Sequence, residues 1–179
     1  MSGNLFARSV HDLTAAAWFG GSLMGAIGLN GATANAQNPA ERTRLSSLGW
    51  KKWAPVQTAA FASHIMAGIP IMWENKGRMA KQEGATRLTV VKTGVTLLGA
   101  LVTLYAGILG KKVEQLADEG AEGATEPSLT ASDELKAAQK QLKAFQWTIP
   151  VFAGTVIVLG AKHGEMQRPK RLFEGLLKH

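Results

Sequence analysis

Charge and apolarity are segregated along this chain. Leu13 to Ala40, Ala54 to Trp73, Thr93 to Gly110 and Ala144 to Ala161 contain no Asp, Glu, Lys or Arg, and the shortest of these windows is 18 residues long. A helix needs roughly 20 mostly apolar residues to cross a hydrocarbon core of ~30 Å. Inside that core it must satisfy its own backbone hydrogen bonds, because lipid cannot. The pattern therefore predicts an all-α fold: a four-helix transmembrane bundle, with spans at about 9–31, 55–73, 88–110 and 145–161.

The stretches between the windows carry signals of their own. Asn38-Pro39-Ala40-Glu41 reads as a helix start, with Asn as N-cap, Pro at the first helical position and Glu at the third. It predicts a short interfacial helix before the second span, which then begins near Pro55; Pro70 would kink or end that span's last turn. Glu74 to Arg87 reads as a charged link. Val113 and Leu116 continue the apolar pattern of the third span. Beyond a polar tip at Gly120 to Ser128, Leu135, Ala138, Leu142, Phe145 and Ile149 repeat at steps of three and four. The third and fourth helices are thus expected to extend past the membrane as an antiparallel hairpin over 111–144, with Thr130 and Asp133 as a capping box. The basic tail, 162–179, is mildly amphipathic through Leu172, Phe173, Leu176 and Leu177.

Two spans carry small residues once per turn: Ala17, Gly21 and Gly25 in the first, and Gly99, Thr103 and Gly107 in the third. That spacing opens a groove in which a neighbouring helix can pack closely. Polar groups within spans are the other clue, because they are costly there unless used. His64 falls near the centre of the second span. It suits a metal or haem ligand or a proton relay, but a lone histidine does not define a site, and the preferred reading is a neutral histidine bonded to a nearby carbonyl or threonine. His11 and Asp12 open the first helix, Lys92 enters the third by one turn, and Lys162, His163 and Glu165 close the fourth. All should share one end of the bundle. Asp12 with Lys92 is the expected ion pair, unless Lys92 snorkels to water. His11 and His163 share a depth suited to haem or a metal. His64 should lie roughly nine residues deeper, about 13 Å at 1.5 Å per residue, which argues against a three-histidine site.

Composition narrows the picture. Cysteine is absent, which excludes disulfides, thiolate metal sites and cysteine nucleophiles. The net charge of +7 would suit nucleic acid, but the basic residues flank the apolar runs; that placement fits topology and anionic lipid, so the bilayer and not nucleic acid is the expected partner. The end holding Arg8, residues 74–92 and the tail has eleven Lys or Arg, against nine at the other end. Both termini are therefore expected in the cytoplasm of a bacterium, with the chain in the inner membrane. Trp73 would mark the cytoplasmic interface, and Trp50, Trp53 and Trp147 the outer one. A rival reading takes Ala34-Asn35-Ala36 as a signal-peptide cleavage site. Asp12 stands where that reading needs basic residues, and the apolar stretch is too long for it.

The run His11-Asp12-Leu13 through Trp18-Phe19-Gly20-Gly21 resembles the start of copper-resistance-D-like membrane proteins, over about one helix. The whole chain resembles uncharacterised actinobacterial four-helix integral membrane proteins, through Val10 to Gly31 and through Gly164-Glu165-Met166-Gln167-Arg168-Pro169. Neither resemblance implies an activity. There is no Gly-rich phosphate loop ending in Lys-Ser/Thr, no Gly-x-Ser-x-Gly and no His-Glu-x-x-His, so the expectation is a non-enzyme. The leading reading is an accessory or assembly subunit of a larger inner-membrane complex, with other membrane subunits as partners; a respiratory supercomplex fits by analogy of size and architecture. In that reading no cofactor is expected. Two alternatives stay open: a haem- or metal-binding protein using His11 and His163, and an oligomeric small-solute carrier with a polar cavity around His64 and Thr93 or Thr96.

Overall fold

The computed structural model describes residues 4–168, and what it describes is almost wholly helical. The basic tail from residue 169 onward, with the amphipathic positions read there, lies outside the described residues. Helix α1 runs Leu5–Met24. It opens on Asn4, whose side chain accepts a hydrogen bond from the Ala7 amide. A π-helical turn, Gly25–Leu29, and the short α2, Asn30–Thr33, carry it on as one rod. Helix α3 is Pro39–Lys81, α4 is Ala85–Gln115, and α5 is Asp133–Glu165. The four rods alternate in direction, and α1 packs against both α3 and α5 while α4 packs chiefly on α5.

The predicted start at Asn38 and Pro39 is present: Asn38 Oδ1 accepts from the Ala40 amide at 2.9 Å. The helix that begins there is not a separate interfacial piece. It continues without interruption through Pro55 and Pro70 to Lys81. Each proline removes one backbone hydrogen bond, and packing along α1 holds the helix through both. The charged link thereby shrinks to three residues, with Gly84 turning the chain at φ +78°.

The hairpin of α4 and α5 follows the apolar stripe. Leu109 and Val113 of α4 bury against Leu135, Ala138, Leu142 and Ile149 of α5, and Lys112 pairs with Glu134 at 2.8 Å across it. The cap of α5 differs from the reading above. Ser132, not Thr130, accepts from the Leu135 amide, and Glu119 fixes Ser132 from across the loop through its amide (2.7 Å) and hydroxyl (3.1 Å). The loop at the hairpin tip folds back on the start of α3. Ala121 N donates to Pro39 O, Arg42 donates to Ala121 O and pairs with Glu122, and Arg44 pairs with Asp118.

By length and composition, α4 and α5 are able to cross a membrane. Helices α1 and α3 do not reach the same measure. Arg8, His11 and Asp12 dilute the first, and within the charge-free stretch of the second Pro55, Gln57, His64 and Pro70 do so. A fold of four helical rods is what the described residues show.

Candidate functional site

The register between α1 and α3 positions everything else. Gly21 lies under the Trp53 ring and Gly25 under Trp50, so closely that a Cβ at either glycine would overlap the indole. The two tryptophans therefore turn inward, and only Trp147 and Trp73 remain largely exposed among the expected belt residues. Of the other small residues, Gly99 lies against Trp18 and Phe152, and Thr103 Oγ1 accepts from Trp18 Nε1 at 3.3 Å. Gly107 meets nothing within 4 Å, so the once-per-turn groove of α4 closes on a neighbour only at its first two positions. Ala17 is half-buried.

With Trp53 seated on Gly21, ten residues back along α1 and eleven onward along antiparallel α3 bring His11 and His64 to the same level. The two imidazoles stack, their centroids 3.9 Å apart and their planes 28° apart. His64 is thus not deeper than His11. The separation inferred from the middle of an apolar window fails because α3 is longer than that window and is placed by its tryptophans.

Hydrogen-bond chemistry fixes how these rings are presented. His64 Nδ1 lies 3.0 Å from the His11 carbonyl oxygen and 3.3 Å from Thr14 Oγ1. A carbonyl only accepts, so Nδ1 carries the proton and the Nε2 lone pair is left bare. His11 Nδ1 lies 3.2 Å from Asp12 Oδ1, which fixes the same tautomer: a carboxylate behind the ring and Nε2 in front. Asp12 is therefore the partner of His11. It does not pair with Lys92, which forms no ion pair among the described residues.

These groups line a cavity of about 670 Å³ between α1, α3, α4 and α5 at the end where α3 gives way to α4. Arg8, His11 and Asp12 come from α1, His64, Asn75 and Arg78 from α3, Lys92, Thr93 and Thr96 from α4, and His163 from α5, with Gln167 just beyond it. His11 and His163 do share this space, but His64 is the ring in contact with His11. Among the described residues no group of three or more His, Asp or Glu is arranged to hold a metal ion. What the arrangement offers is a basic, amphipathic chamber with imidazole acceptors on one wall.

A second polar cluster, missed in the sequence, sits toward the opposite end. Asn30, buried just after the π turn, donates to Gln146 Oε1 at 2.6 Å and accepts from Ser46 Oγ at 2.8 Å and Trp50 Nε1 at 3.1 Å. It ties three rods together. An asparagine within a charge-free window was the available signal, and its partners are remote in sequence.

Comparison of the chain with family models, with curated proteins and with solved structures gave no match.

Proposed function

We propose that this chain is a four-helix integral membrane protein of the bacterial inner membrane, both termini cytoplasmic, acting by binding as an accessory subunit of a larger membrane complex. The observation that carries the reading is a belt of large apolar side chains turned outward on every rod. Leu13, Met66, Leu104 and Val158, one from each, are 66–70% exposed. Patches of that kind on a water-soluble monomer rarely exceed a few hundred Å², and here they circle the bundle. The surface changes character along a single helix: α5 exposes Glu134, Lys140 and Lys143 in the hairpin, then Val151 and Val158 below it. That is the alternation of a helix leaving lipid for water.

The accessory role draws on the compact polar cap over residues 116–132, which ends in Leu129, 98% exposed. Hydrogen bonds and ion pairs tie that cap to the start of α3, so it is a formed polar surface beyond the apolar belt that a partner subunit can reach. Solubilising membranes in mild detergent and separating the extract under native conditions tests this. The subunit reading expects migration within a larger assembly; a free monomer in every detergent would dismiss it. A binding or carrier function is a second reading, favoured by one specific observation: His64, Thr93 and Thr96 line a real cavity.

A further inference from the structure

From the basic chamber we infer a binding site for the anionic head group of a phospholipid, entered sideways between α3 and α4; this rests on the membrane reading above. Three cations converge there. Among the described residues Arg78 donates to the neutral oxygens of Asn75 (3.1 Å) and Gln82 (3.4 Å) and to no carboxylate. Arg8 and Lys92 form no ion pair among the described residues, and Asp12, the one carboxylate among the described residues that line the chamber, leaves the three cations in excess. Half-buried cations in excess over carboxylate are costly in a medium of low polarity. A phosphate diester supplies the missing negative charge and several acceptor oxygens at once.

The walls decide between a lipid and a free phosphate. Ile65 and Ile69 of α3 and Leu97 of α4 line the chamber and are also half or more exposed on the outside of the bundle. The chamber is thus continuous with the lipid-facing surface through an apolar gap, which suits acyl chains and offers nothing to a soluble ion. The bare Nε2 atoms of His11 and His64 add a requirement, since they accept hydrogen bonds and do not donate them. A head group bearing hydroxyls, as phosphatidylglycerol does, satisfies both the cations and the imidazoles.

The test uses the full chain purified in a nonionic detergent, so that extraction behaviour reports on the membrane reading separately. Thermal unfolding is followed with phosphatidylglycerol, phosphatidylcholine or inorganic phosphate added. The expected result is a rise in unfolding temperature with phosphatidylglycerol alone. Lys92→Gln and Arg78→Gln are each expected to weaken that binding on the order of tenfold. Lys51→Gln with Lys52→Gln, outside the chamber, is expected to leave it unchanged. An equal rise with phosphatidylcholine, or a rise that survives both chamber substitutions, overturns the proposal. A rise with inorganic phosphate as large as with the lipid overturns the lipid assignment. Should the variants fail to fold, phosphorus and mass analysis of the purified wild-type protein decides: co-purified phosphatidylglycerol supports the site, and its absence after mild extraction counts against it.

Discussion

The imidazole of His11 lies face to face with that of His64, 53 residues away in sequence, and the carbonyl of the first receives the Nδ1 proton of the second. This contact makes the two rings one unit, each with its Nδ1 engaged and its Nε2 directed away from the protein partner. Nitrogen NMR of labelled histidines is expected to show both as Nδ1–H tautomers at neutral pH. Thr14→Val should leave the His64 tautomer unchanged, because the carbonyl remains. An Nε2–H tautomer at His64 would contradict the geometry.

The register that creates the histidine contact is set elsewhere. Gly21→Ala and Gly25→Ala both place a methyl group inside an indole ring. Overpacking of this kind costs about 1–3 kcal/mol. Gly20→Ala and Gly107→Ala, at positions open to their surroundings, should cost little by packing. Unfolding temperatures in one detergent compare the four directly.

Asn30 holds the other end. Asn30→Ala strands the Trp50 N–H, the Ser46 hydroxyl and the Gln146 carbonyl oxygen in a buried site, and each unsatisfied group costs roughly 1–3 kcal/mol. A loss larger than that of a surface Asn→Ala, such as Asn35→Ala, is the expected outcome of the same thermal measurement.

The cap over the hairpin should be acid-sensitive. Burial by itself would raise the carboxyl of Glu126. Hydrogen bonds from the Thr125 hydroxyl and amide, and the Lys143 ammonium at 3.1 Å, outweigh it and hold the group below its ordinary 4.5. A carboxyl whose folded pKa is depressed stabilises above the unfolded value and loses that contribution as pH falls through the folded one. Hydrogen exchange at Gly123 to Thr125 is expected to quicken as pH is lowered through that window, after correction for intrinsic rates. Glu126→Gln should remove the dependence.

How far the fold was legible depends on the kind of signal. The charge-free windows located four helical rods, and the three-and-four stripe from Leu135 to Ile149 located the face that α5 buries against α4, because both are periodic properties of single segments. Helix limits were not legible at Pro55 and Pro70: a proline removes a hydrogen bond locally, but the packing of α3 along α1 that overrides it is not local. Ser132 was missed as N-cap because Glu119, which holds it, comes from across a loop. For the same reason His64 stands isolated in the sequence. Its level is fixed by Trp53 against Gly21, a contact between two helices, and the chamber's three cations come from three different rods. The titratable residues were visible one by one, while their convergence was a property of register.

The cysteine-free chain allows the central claim to be tested with single introduced thiols. Gln37→Cys, between the first rod and α3, Glu83→Cys, between α3 and α4, and Leu129→Cys, in the cap, are all exposed positions. Intact cells or spheroplasts are treated with a maleimide that does not cross membranes. Gln37→Cys and Leu129→Cys are expected to be labelled from outside, and Glu83→Cys only after permeabilisation. Labelling of all three from one side, or recovery of the protein in the aqueous fraction without detergent, would contradict that claim.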